Sequence, residues 1–220
     1  MKRCWIWASW RSSGLTDRLT ARRLLLATTN QGKAREIKKL LAGLNFKIES
    51  LVSYPEFGRF QEKEKTFEEN SRGKARFYSR QYDGLVLAED SGLEVEALDG
   101  KPGVFSARFS GRQATDQKNI KKLLKLMRPL SESQRKARFI CVASLACRGQ
   151  ILKVYRGQLS GRIIFEPRGQ NGFGYDPVFF YAPLQKTLAE LTTEEKNKIS
   201  HRGRALRKVR AYLKKFPEAQ

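Results

Sequence analysis

Apolar residues return with two periods along this chain, and the periods mark its elements. Leu24, Leu25 and Leu26 form a short buried strand that passes through TTNQGK into AREIKKLLAGL, where Ala34, Ile37, Leu41 and Leu44 recur at helical spacing. Gly43 and Asn45 close that helix, and FKIESLV alternates as a second strand. Residues 53–65 are charged and carry Pro55 and Gly58, which predicts a loop. Thr66, with Glu69 three residues on, is a capping box opening the helix TFEENSRGKARFYSRQY, which stops near Asp83 and Gly84.

LVLAE predicts a buried strand that ends at an acidic cluster, and GLEVEAL predicts a further strand with Glu94 and Glu96 on its polar face. LDGKPGVFSARF reads as a turn and an exposed basic-aromatic loop, and ATDQKNIKKLLKLM as a helix with Ile120, Leu123, Leu124 and Met127 on one face. RFICVASLAC, ILKVYRG and GRIIFEP supply two or three antiparallel strands, because their connections are too short for crossover helices. A Gly-rich loop, RGQNGFGYDP, and a C-terminal helix complete the order. The sum is an α/β fold, a mixed β-sheet flanked by helices with two lobes around a cleft.

Composition narrows this picture. A chain of 220 residues can bury its own core, and none of its apolar runs reaches the roughly 20 residues that cross a bilayer. Three cysteines, Cys4, Cys141 and Cys147, form no CxxC pair, which places the chain in a reducing, cytoplasmic setting. Cys141 and Cys147 share one strand face as packing residues. Residues 1–22 form a basic extension with Asp17 as its one acid, expected to be disordered, and the folded domain is expected over residues 23–220. The net charge of +22 allows either a solvated surface or an anionic partner.

Against that charge, the carboxylates of Glu89, Asp90, Glu94 and Glu96 are concentrated behind an apolar run. Glu89 and Asp90 sit at the C-terminal end of a strand, where open α/β sheets place their sites. They suit Mg²⁺ completed by phosphate oxygens, and they equally suit neighbouring Lys or Arg. Thr28 to Lys33 occupy a strand-to-helix loop whose free N–H groups favour an anion, although a simple helix cap reads the same way and the P-loop spacing is missing. Phe173 and Tyr175, between Gly172, Gly174 and Asp176, could stack on a base or form an ordinary Gly-rich turn. Lys196, His201 and Arg202 gather at a helix start that Ser200 can cap, a basic N-terminus that makes electrostatic sense with an anion against it. A single histidine excludes multi-His zinc sites, and no GxSxG elbow supports a serine hydrolase. Together these loops describe a nucleoside triphosphate site.

The segments ATTNQGKAREI, TFEENSRGKA, AEDSGLEVEALDGKPGVFSARF, ATDQKN, GFGYDPVF and EEKNKISHRGRAL, in order from Arg23 to the C-terminus, resemble the XTP/dITP diphosphatase family, also called inosine triphosphate pyrophosphatases. The resemblance implies an elongated, dimeric α/β protein with a central nucleotide-binding cleft. It implies hydrolysis of ITP, dITP or XTP to the monophosphate and pyrophosphate, by a water attacking the α-phosphorus with Mg²⁺ as cofactor. It assigns triphosphate binding to Thr28, Thr29, Asn30, Gln31, Gly32 and Lys33, and phosphate contact to Lys74. Asp90 becomes the general base and Mg²⁺ ligand, Glu62 a metal-associated carboxylate, and Ser91 a substrate contact. Phe173, Gly174, Tyr175, Asp176, Lys196, His201 and Arg202 become the nucleotide pocket. Thr29 stands where relatives often have Gly, Glu89 where Asp also occurs, and the basic segment QEKEKTF leaves Glu64 in competition with Glu62. A nucleic-acid-binding module and an orthophosphate-releasing phosphatase are the competing readings. The enzyme reading requires no membrane and no nucleic acid.

Overall fold

A short strand that ends in three consecutive leucines, all fully buried, starts the central sheet. The computed structural model describes residues 22–216, so Cys4 and residues 1–21 of the extension lie outside the described residues, while Arg22, expected in the extension, opens the first strand. That strand is β1 (Arg22–Leu26), followed by α1 (Gln31–Leu41), β2 (Phe46–Ser50), α2 (Phe67–Ser79), β3 (Leu85–Val95) and α3 (Asp116–Met127). The long strands β4 (Lys136–Cys147) and β5 (Gln150–Ile163) come next, then β6 (Phe179–Tyr181), β7 (Lys186–Thr187), α4 (Thr193–Ile199) and α5 (His201–Lys214). The seven strands form one mixed sheet in the order β2-β1-β3-β4-β5-β6-β7. β1 runs parallel to β2 and β3, and the pairs from β3 to β7 are antiparallel. The expected α/β class with a mixed sheet is therefore the observed one. Among the described residues no helix is long and apolar enough to cross a membrane.

Four local expectations are corrected. LVLAE and GLEVEAL are not two strands: β3 runs unbroken through the acidic cluster, paired residue for residue with β4 from Val86 opposite Ala146 to Val95 opposite Ala137. Glu96 is not on a strand face, because the chain turns into a 3₁₀ turn at Glu96–Leu98. Thr66 caps the Glu69 N–H, but the Glu69 carboxylate accepts from the Thr66 hydroxyl instead of a backbone N–H, so the capping box is half made. The C-terminal helix is two helices, because Ser200 ends α4 and caps α5 through the Gly203 N–H.

The parity of β3 explains where the site lies. On one face, Leu85 and Leu87 join a core with α1 and α5, while Leu93 and Val95 join a second core with α3 and β6. β4 divides alike, with Cys141, Ala143 and Leu145 in the first core and Ala137 and Phe139 in the second. Between the two cores that face of β3 carries Glu89 and Ser91. On the other face, Val86 and Ala88 pack under α2, and Asp90 and Gly92 follow. The two apolar bodies thus part at the polar residues.

Candidate active site

Five segments meet at this interruption. The loop after β1 is shaped by its own side chains: the Asn30 N–H donates to Thr28 Oγ1 at 3.1 Å, and Asn30 Oδ1 caps α1 by accepting from the Lys33 N–H at 2.9 Å. Thr29, Asn30 and Gln31 are exposed there, beside the free N–H groups of the first helical turn. Lys33 reaches inward to Glu89, Nζ to Oε1 at 3.0 Å. Burial works against the charge on Lys33, and Glu89 outweighs it, so the ammonium is held above its ordinary range.

Glu89 is buried and fully engaged. It accepts from Arg202 Nε at 2.9 Å and Nη2 at 3.1 Å and from the Cys141 thiol at 3.1 Å. Burial would raise its pKa, but Arg202 and Lys33 hold it well below the carboxylate range. The positive partners of this carboxylate are therefore protein side chains, and the basic start of α5 is answered by protein anions. Ser91 Oγ accepts from Arg202 Nη2 at 3.1 Å.

Asp90, on the opposite face, is different. Its Oδ1 accepts the Ser91 N–H at 2.9 Å, while Oδ2 is buried with no partner. Burial raises its pKa to about 6, with Lys33 opposing and the Glu62 carboxylate adding to the rise. Lys74 of α2 stands on this side, ion-paired with Glu62 and donating to the Glu89 carbonyl at 3.2 Å. Arg108, which the sequence reading missed, donates to the Glu62 carbonyl at 3.2 Å. Of the two competing glutamates, Glu62 is the one brought to Lys74 and into the field of Asp90. Glu64 is exposed, with only its backbone tied, to Asn70.

The loop expected to stack on a base lies over the start of α1. A Cβ on Gly32 would sit 3.0 Å from the Phe173 ring, so Gly32 is where that ring seats. Lys196 Nζ and the Arg202 guanidinium lie 4.7 Å and 5.3 Å from the ring centroid. The turn is held by Asp176 Oδ2, which accepts from the Phe173 N–H at 2.9 Å and from Lys196 Nζ at 2.5 Å. Gly172 has φ +79 and a Cβ there would meet Asp176, so only glycine fits. Gly174 donates to Asp116 at 2.7 Å, and the buried Tyr175 donates its hydroxyl to the Ser106 carbonyl at 2.9 Å, which makes Tyr175 an anchor of the loop.

Glu36 is the main residue that sequence reading missed. This buried carboxylate of α1 accepts from Lys196 at 2.8 Å and from Arg202 Nη1 at 2.5 Å. No spacing signal could find it, since its partners lie 160 and 166 residues away. His201 is buried, stacked 4.7 Å from Phe139 with Nδ1 unpartnered, and burial pushes its pKa well below the usual value. Counting donors among the described residues, Lys196 and Arg202 each keep one N–H uncommitted.

The donor set also fits a divalent cation. Asp90 Oδ2 is a buried oxygen without a partner, and Glu62 is close enough to raise the Asp90 pKa. Among the described residues no group of three or more His, Cys, Asp or Glu could hold a metal alone, so substrate oxygens would have to complete a shell, as they do for Mg²⁺.

A profile described as the Ham1 family matches residues 24–212. The chain belongs to the Ham1 family. Among its relatives, a protein of Bacillus anthracis named dITP/XTP pyrophosphatase is 44% identical over 199 residues, 90% of this chain and 97% of that one. A protein of the same name from Geobacter sulfurreducens is 47% identical over 191 residues, 87% of this chain and 96% of that one. The HAM1 protein of Coxiella burnetii has a solved structure that superposes with a TM-score of 0.81 at 39% identity, covering 89% of this chain and 100% of that one.

Proposed function

We propose that this chain hydrolyses non-standard purine nucleoside triphosphates, ITP, dITP and XTP, to the monophosphate and pyrophosphate. The observation that carries the chemistry is Asp90 Oδ2, a buried, unpartnered carboxylate oxygen between Lys33, Lys74 and Glu62. Thr28 to Lys33 cradle the phosphates with side-chain hydroxyl and amide groups and the free N–H groups of α1. Asp90 takes the proton of the attacking water as it approaches the α-phosphorus. Lys33 and Lys74 offset the charge that builds on the phosphate oxygens, a contribution of about 2.7–4 kcal/mol for each well-placed donor. Asp90 and Glu62 would hold Mg²⁺, which when bound polarises phosphate oxygens and makes water more acidic. Lys74 would release the Glu62 carboxylate to the ion and turn to the phosphates.

Phe173 offers its ring to the purine. The uncommitted N–H groups of Lys196 and Arg202, with His201, suit a 6-keto oxygen. A 6-amino group would bring donor against donor and leave those buried N–H groups unpaired. A homodimer in a cytoplasmic setting completes the reading. The thiols of Cys141 and Cys147, free among the described residues, favour a reducing compartment.

The decisive experiment identifies the product released from dITP with and without Mg²⁺. Pyrophosphate released only with the metal is expected, and ATP should be turned over far more slowly. Orthophosphate as the first product would move the chain to the phosphatase reading.

A further inference from the structure

The outer face of α5 carries a feature that hydrolysis does not use. Arg204, Arg207, Lys208, Ala211 and Lys214 are its exposed positions, and with the C-cap Lys215 they form one stripe of five cations about 16 Å long. Three of them are braced by backbone carbonyls: Arg204 on Gln158 at 3.0 Å, Arg207 on Asn197 at 3.0 Å and Lys208 on Arg156 at 2.9 Å. Two of these carbonyls belong to the outer edge of β5, which β6 pairs only at Arg162 and Ile163. Stripe and strand edge border a groove of about 560 Å³ lined by Arg156, Arg204, Arg207 and Lys208 with no acidic residue. Among the described residues none of these four cations is ion-paired with a carboxylate, although the molecule carries 22 acids.

From this arrangement we propose that the α5–β5 groove binds the phosphate backbone of duplex nucleic acid without reading its sequence. Braced, uncompensated cations in a row match a row of phosphodiesters, and the groove offers no aromatic face for bases. A lipid surface fits less well, because Ala211 is the only apolar residue on the stripe and none of the exposed large apolar side chains lies on α5. A second copy of the chain docking symmetrically would set the same cations against one another. The proposal stands apart from the hydrolytic reading, since none of these residues touches the Asp90 site.

The test is fluorescence anisotropy of a labelled 20-base-pair DNA duplex across 50–200 mM salt. With four phosphates neutralised, affinity should fall about 150-fold over that range, a log–log slope of about −3.6. R204Q/R207Q/K208Q should reduce the steepness of the slope by about 2.7 and leave dITP turnover within twofold of wild type. R204K/R207K/K208R, which changes the bracing but keeps the charge, should bind like wild type. Neutralising three exposed lysines elsewhere, K121Q/K125Q/K136Q, should change the slope by less than half as much. Equal loss in that control would mean diffuse attraction and overturn the groove. So would an absence of duplex binding at 50 mM salt, or capture of anionic vesicles or inorganic polyphosphate in preference to the duplex.

Discussion

Residues 89 and 90 are neighbours with opposite electrostatic fates, decided by which face of β3 each occupies. Glu89 meets Arg202 and Lys33 and stays ionised, whereas Asp90 is buried with one oxygen unanswered and a pKa of about 6. Asp90→Asn should lower dITP turnover by about 100- to 10,000-fold, the range for a lost general base. The same substitution has a signature without substrate. Between the ordinary value of 3.8 and about 6 the unfolded chain has released the Asp90 proton and the folded chain keeps it, so wild-type stability falls as pH rises through that window. The amide of the variant has no proton to lose in that range. Unfolding free energies of the metal-free pair, from urea denaturation, should therefore diverge in favour of Asp90→Asn from pH 4 to pH 6.5, by an amount on the order of 1–3 kcal/mol. Parallel curves would show that the carboxyl is not strained by burial.

Glu36 makes the complementary case. It answers Lys196 and Arg202 at once, so Glu36→Gln removes one of the two carboxylates each cation holds, leaving Asp176 to Lys196 and Glu89 to Arg202. Because each cation keeps its second carboxylate, the loss is that of weakened buried hydrogen bonds, about 1–3 kcal/mol, to be read from urea midpoints. A loss under about 1 kcal/mol would mean that the cations are satisfied elsewhere.

At the scale of elements, the division of β3 into two strands failed for a physical reason. Sequence periodicity ends a strand where Glu89, Asp90 and Ser91 interrupt the apolar alternation, because three polar residues in a buried strand need partners that no local pattern supplies. Lys33, Arg202 and Cys141 supply them for Glu89, and β3 continues to Val95. Gly92 is the second condition. A Cβ there would stand 2.4 Å from Ser106 Oγ and 2.6 Å from the Gly103 carbonyl, in the loop that follows β3. Gly92→Ala should push that loop away, break the Leu93 N–H bond to Ser106 and destabilise the protein by about 1–3 kcal/mol, measured by chemical denaturation. An unchanged midpoint would mean that the loop yields freely.

The β1–β2 pair carries a second electrostatic clamp. Glu49 of β2 accepts from the Tyr82 hydroxyl at 2.6 Å and from Arg23 Nε at 3.2 Å, and the tyrosine bond leads in lowering its pKa to about 2. A depressed carboxylate stabilises the fold above its ordinary value of 4.5 and loses that contribution as pH falls toward 2. Wild type should thus be more stable than Glu49→Gln at pH 7, and the difference should shrink between pH 4.5 and 2 in acid titrations followed by circular dichroism. A gap that is constant with pH would count against the clamp.

Over the whole molecule, the chain by itself determined the class of fold and the elements on which most of the candidate residues lie. Three leucines before a polar loop and an amphipathic helix dictate strand, loop and helix, because burial periodicity and capping are local. The placement of Thr66 and Ser200 as caps was equally local, since a cap is read by N–H groups two or three residues away. Only the tertiary structure decided which charges answer which. Arg202 reaches Glu89 across 113 residues and Glu36 across 166, and Lys196 reaches Asp176 as well as Glu36. Burial removes the water that would otherwise make such pairings weak and interchangeable, so these contacts become specific only when the sheet and its helices close around them. The same closure leaves Asp90 Oδ2, among the described residues, as a buried carboxylate oxygen without a partner, a fact no stretch of sequence contains.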